Sequence, residues 1–173
     1  MKNLLIVLLL LTVSCKSKHE ITEHINQKTT ICPENSNCTI ELIPNKSLEF
    51  KTDNFGILYP VISDGEHVIL KYTFQKKPIK NTQDSNYSEI IYAELNKTIS
   101  NKSLQNKSLQ TIKLHFGRLC YCKGTTGYFP IKKGDFEISN LKNDKVKIAL
   151  NFSISEVPQI ISNFEETISL KSN

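Results

Sequence analysis

Residues 145–154 alternate with a period of two. Val146, Ile148, Leu150, Phe152 and Ile154 fall on one side, and Lys147, Ala149, Asn151 and Ser153 on the other. Successive side chains of a strand point to opposite faces, so this pattern demands a half-buried β-strand. The period recurs at residues 39–42 and 48–51, and residues 87–95 form a further aromatic and β-branched run. Residues 57–63 and 66–74 are β-rich and flank Asp64-Gly65, the strongest hairpin signal in the chain. A Leu-Lys-Asn-Asp connection links residues 135–140 to 145–154 and predicts a second hairpin. Short strands separated by turns predict a mainly β fold, an antiparallel sandwich or small barrel.

Two stretches fit this period poorly. Residues 96–110 contain NKTIS and then NKSLQ twice, at 101–105 and 106–110. A five-residue period suits neither helix nor strand, so a polar connection with a short helical turn is expected. Near the C-terminus, Val157, Ile160, Ile161, Phe164 and Ile168 fit a helix face with Pro158 near its start. Residues 167–170 alternate instead, and a final strand is the preferred expectation.

The first residues carry a different signal. Lys2 precedes an apolar run at residues 4–11, which is too short for the roughly 20 residues that span a bilayer. A charged start, a short apolar middle and a small residue at the end are the marks of a removed secretory segment. Thr12-Val13-Ser14-Cys15 resembles the end of a bacterial lipoprotein signal peptide, although Thr12 stands where Leu is commonest. The resemblance implies that Cys15 is acylated, becomes the new N-terminus and anchors the protein in the cell envelope. Lys16 follows it, and the lack of an acidic residue there favours the outer over the inner membrane. The implied division is a signal peptide at 1–14, a lipidated cysteine and flexible tether at 15–31, and one β-rich domain at 32–173.

Without residues 1–14 the chain has 159 residues, enough for one domain with a real core. Removing Lys2 leaves 21 basic against 17 acidic residues, a balance of +4. Arg118 is the single arginine, and the lysines are dispersed along the chain. A nucleic-acid partner would call for a dense basic patch, and none is visible.

Cys32, Cys38, Cys120 and Cys122 remain, an even number in an exported chain, which predicts two disulfides in one of three connectivities. If residues 119–123 are extended, Cys120 and Cys122 point the same way and bond each other poorly. The crossed arrangements, joining the 32–38 segment to the 120–122 strand, are therefore preferred. The alternative is a thiol- or metal-handling protein using the same four cysteines. The C-x5-C and C-x-C spacings depart from the usual zinc pairs and from C-x-x-C oxidoreductases. His19 and His24 make a poor metal pair, and no metal or other cofactor is expected.

Residues 116–129 are the best candidate for binding, because they combine Arg118 with two cysteines, three glycines and four aromatics. Arginine suits bidentate carboxylate or phosphate contacts, so Arg118, Tyr121, Tyr128 and Phe129 are the candidate contact residues. The plain alternative is a stapled strand and turn with Arg118 as a cap. His115 is expected on a strand's polar face. Glu41, Glu49, Glu66, Glu89 and Glu94 are expected to face solvent, and Glu165-Glu166 to be a solvated pair. No nucleophile elbow, zinc-protease or dinucleotide pattern is present, so no catalytic residues are assigned. The segments C-P-E-N-x-x-C and F-G-R-x-C-x-C-x-G-x-T-G-Y, with the signal, resemble small lipoproteins of flavobacterial-type Gram-negative bacteria. That resemblance implies an envelope location alone. The expectation is a non-enzymatic binding or structural module whose partner is an envelope protein or glycan.

Overall fold

The computed structural model describes residues 19–170, so the signal segment and Cys15 lie outside the described residues. The elements in order are β1 (His19–Glu20), β2 (Ile25–Lys28), β3 (Ser36–Thr52), β4 (Leu58–Lys76), β5 (Tyr87–Asn96), β6 (Thr98–Ile99) and β7 (Lys102–Gln105). A 3-10 helix (Asn106–Ile112) leads into β8 (His115–Cys120), β9 (Gly127–Pro130), β10 (Gly134–Leu141), β11 (Lys145–Phe152) and β12 (Asn163–Ser169). One sheet has the order β2-β3-β4-β5-β8-β9, the other β12-β11-β10-β7, and β1 pairs with β6. Every pairing is antiparallel. The larger sheet keeps β2 and β9 as open edges, so the mainly β fold is a sandwich and not a closed barrel.

The period of two sorts the side chains. From the larger sheet Ile40, Leu42, Val68, Leu70, Tyr72, Phe74, Ile91, Ala93 and Phe116 face inward. They meet Phe136, Ile138, Val146, Ile148, Leu150, Phe152, Phe164 and Ile168 from the smaller one. The backbone N–H groups of Ile160 and Ile161 reach Glu89 of β5, the Phe164 ring stacks on Tyr72 of β4 at 4.5 Å, and Gln27 of β2 donates to the Thr167 carbonyl. β12 therefore crosses the strands of the larger sheet, as in orthogonal sheet packing. The C-terminal segment ends as a strand, with Val157 and Ile161 buried in the loop before it.

Asp64-Gly65 is not a hairpin turn. β3 and β4 pair along their whole lengths, and Lys46 stands opposite both Asp64 and His67. The two residues form a bulge, which bends the ribbon without ending it. A Cβ on Gly65 would meet the Ser47 Cβ at 2.7 Å, so the ribbons approach too closely there for a side chain. The turn itself lies further on, where Asp53 Oδ1 accepts the N–H groups of Phe55 and Ile57, both at 2.8 Å. Beyond the bulge the ribbon folds back over the outer face of the larger sheet. Leu48 and Phe50 there join Ile69, Tyr92 and Tyr128 in a second, smaller cluster.

Residues 19–31 are not a flexible tether, and the folded domain begins before residue 32. Glu20 pairs with Thr98, Ile21 is buried, and β2 pairs with β3. The Thr30 N–H donates to Glu166 at 2.9 Å. Two isolated isoleucines suffice because the surface they dock on is built by other strands; a local apolar period is not needed. The NKSLQ repeat is likewise split. Its first copy forms β7, while its second forms the 3-10 helix, where Ser108 Oγ accepts the Gln105 N–H and donates to the Gln105 carbonyl.

Candidate functional site

Cys38 on β3 stands opposite Phe74, Phe74 opposite Glu89, and Tyr87 opposite Cys120. Both cysteine pairs thus sit at one end of the larger sheet, together with the connections at 29–35, 77–86 and 121–126. The pairing is local: Cys32 bonds Cys38 with Cα atoms 5.6 Å apart, and Cys120 bonds Cys122 at 5.2 Å. The crossed connectivity expected from the sequence is overturned. β4 and β5 lie between β3 and β8, so three strand spacings of about 4.8 Å place Cys38 roughly 14 Å from Cys120. A disulfide tolerates about 7 Å. β8 ends at Cys120 and the chain turns at Tyr121, so the C-x-C residues do not hold the extended geometry that would keep them apart.

Arg118 is occupied internally. Its Nε donates to the Tyr87 hydroxyl at 3.2 Å, its Nη1 donates to the Thr125 carbonyl at 2.8 Å and to the Thr125 hydroxyl, and its guanidinium lies over the Tyr87 ring. The Tyr87 hydroxyl in turn donates to Glu89 at 2.6 Å. Burial, and then that bond to Glu89, push the Tyr87 phenol up to about 12, which keeps its donor proton in place. Glu89 is buried and also accepts the N–H groups of Ile160 and Ile161, each at 2.7 Å. One chain of bonds thus ties the 121–126 turn through Arg118, Tyr87 and Glu89 to the 153–162 loop. Glu89 and Glu166, expected to be solvated, are both buried acceptors for loop backbone.

The other candidate contacts divide. Tyr128 lies across Gly117, where a Cβ would come within 2.5 Å of its ring, and Phe129 packs on the core. Tyr121 alone is presented to solvent, at 84% exposure. No local pattern marks its companions. Ile31 (79%), Phe55 (88%) and Ile79 (66%) are exposed, as are Ile57 and Ile160. Ile57 lies beside Gly127 of β9, which brings the hairpin turn to this same end. Six of the nine exposed large apolar side chains among the described residues belong to these five connections. Lys76, Lys77, Lys80 and Lys123 lie among them with Glu34, Asp53, Asp84 and Glu156, all exposed, so the charged groups there are of mixed sign.

The folded-back ribbon is clasped to the sheet by a polar cluster. Glu94 accepts the Leu48 N–H at 2.7 Å and pairs with Lys113 Nζ at 2.7 Å, and Lys113 also donates to the Leu48 carbonyl. The Phe50 ring stacks on the His115 imidazole, centroids 3.6 Å apart. His115 is therefore covered by the ribbon instead of lying on an open polar face. Burial holds His115 below the ordinary histidine value of 6.5, against the opposing effect of its bond to the Lys113 carbonyl. Burial pushes Glu94 up, but the Leu48 N–H and Lys113 outweigh it and leave the carboxyl below 4.5. Both shifts make the clasp acid-labile. The His115 contribution is complete above pH 6.5 and shrinks as pH falls below it, because only the unfolded histidine takes up a proton there. The Glu94 contribution is lost lower, as pH falls from 4.5 through its folded value. Urea midpoints measured from pH 8 to 4 are expected to fall below pH 6.5, and His115→Phe is expected to flatten the upper part of that slope.

Among the described residues no group of three or more His, Cys, Asp or Glu side chains is placed to hold a metal ion, and no helix is long and apolar enough to cross a membrane. No family model, curated protein or solved structure matches this chain.

Proposed function

We propose that the protein is a lipid-anchored module of the cell envelope that binds another protein through the end loops of its sandwich. One observation carries the reading: Ile31, Phe55, Ile57, Ile79, Tyr121 and Ile160 come from five connections and stand exposed at one end. Isolated exposed apolar residues need no explanation, whereas a convergence of them does. Their mostly aliphatic character favours a protein over a glycan, since sugars are held by aromatic stacking and hydrogen bonds.

The anchor supports the same orientation. Three residues separate Cys15 from β1, and a chain of that length reaches at most roughly 14 Å. β1 pairs with β6, which follows the end of β5 remote from Tyr87. Acylation therefore sets the β1–β6 end against the membrane and turns the end loops away from it.

The test is made on intact cells. A photo-crosslinking residue at position 79 is expected to give a discrete protein adduct, while one at Leu141, on the opposite end, gives none. Phe55→Ser is expected to weaken that adduct about tenfold, the effect of one interface anchor. Equal, diffuse labelling from both positions would refute the reading. Mass spectrometry of the N-terminal peptide, and release of Cys15→Ser from the membrane fraction, test the anchor separately.

A further inference from the structure

We propose that Cys120–Cys122 is an exchangeable disulfide that trades electrons with dithiol or disulfide groups of protein substrates, while Cys32–Cys38 is a structural staple. The two pairs differ in what they hold together. A disulfide stabilises a fold chiefly by closing a loop of chain, and its effect grows with the length of that loop. Cys120 and Cys122 enclose a single residue. The turn that follows is already fixed by the β8–β9 ladder and by the bonds from Arg118 to Thr125. The bond is thus structurally redundant.

Its surroundings suit exchange. Both cysteines line an open concavity with Tyr121, Lys123, Gly124 and Thr126, and neither is buried. By contrast Cys38 lies in the core at 4% exposure. Ring closure around one residue leaves Tyr121 projecting beside the bond, where an unfolded or extended substrate segment meets it. The cations nearest in sequence are Lys123, next to Cys122, and Arg118, two residues before Cys120 and on the same side of β8. Positive charge close to a sulfur favours its thiolate, the leaving form in exchange.

The reaction balances without a metal. A substrate thiolate attacks Cys122 Sγ, forms a mixed disulfide and expels the Cys120 thiolate, which takes up a proton. The second thiolate of the substrate then attacks its own sulfur in the mixed disulfide and expels the Cys122 thiolate. The substrate dithiol is oxidised to a disulfide, and the Cys120–Cys122 bond is reduced by the same two electrons. A low-molecular-weight disulfide such as oxidised glutathione restores the bond by the reverse steps.

The intact mature protein is equilibrated in graded mixtures of reduced and oxidised dithiothreitol, acid-quenched, alkylated and peptide-mapped. Cys120–Cys122 is expected to be half-reduced at a ratio at least about tenfold lower than Cys32–Cys38, with the circular dichroism spectrum unchanged. Mixed with a reduced dithiol peptide, the wild type is expected to yield up to one equivalent of peptide disulfide, and the Cys120→Ser/Cys122→Ser variant none. Reduction of both pairs together, reduction of Cys120–Cys122 only on unfolding, or no oxidation of the peptide would overturn the assignment. Neither measurement depends on the lipid anchor or on the end-loop partner, so failure here leaves the binding reading standing.

Discussion

Glu89→Ala is expected to destabilise the protein by about 3–5 kcal/mol, because it leaves three buried donors without an acceptor. Three donors converge on this carboxylate: the Tyr87 hydroxyl and the N–H groups of Ile160 and Ile161. Each buried donor left without an acceptor costs about 1–3 kcal/mol, and partial rehydration of the loop offsets some of the total. The damage is also directional. Without its anchor the 153–162 loop detaches first, so the amides of Ile160 and Ile161 should exchange hydrogen faster than the core strands do. A fall in the urea midpoint at unchanged slope checks the energy. A loss below about 1 kcal/mol would mean that water replaces Glu89 at little cost, contrary to its burial.

Glu94→Ala is the second large effect, about 2 kcal/mol, mostly from the lost bonds to the Leu48 N–H and the Ser47 hydroxyl. Here the consequence is local opening instead of global collapse. The ribbon beyond the Gly65 bulge is held by this clasp, the Phe50–His115 stack and a small apolar cluster, whereas the main core lies on the other face of the sheet. Limited proteolysis should therefore cut the variant within residues 53–57 well before the wild type, while the remaining strands stay protected. Simultaneous loss of protection everywhere would show that the ribbon and the sandwich unfold as one unit.

Both effects concern acids that composition alone suggests are solvated, and the sequence held more than that. In β5, Glu89 shares the parity of Ile91, Ala93 and Leu95, and in β12, Glu166 shares that of Phe164 and Ile168. An acid in an inward slot of an alternating strand signals a buried acceptor, and in both cases the donors are backbone N–H groups of a distant loop. Strand identity at residues 145–154 was legible because one local period decides it. The NKSLQ copies show the opposite limit. Identical pentapeptides form a strand and a 3-10 helix because Leu104 pairs against β10 and Leu109 is buried in the main core, contacts that lie far outside the repeat. The exposed end-loop residues were illegible for a related reason. An isoleucine in a polar stretch reads alike whether it docks, as Ile21 does, or stands out, as Ile79 does.

The cysteines carry the largest revision. Crossed bonds would have lashed the chain start to β8 and fixed the end loops to one another. Local bonds leave each loop separately held, which frees one end of the sandwich for apolar contacts and the Cys120–Cys122 bond for chemistry. Non-reducing peptide mapping of the purified mature protein tests this directly. Two adjacent pairs, Cys32–Cys38 and Cys120–Cys122, are the predicted result. A peptide joining the 32–38 segment to the 120–122 segment would contradict it.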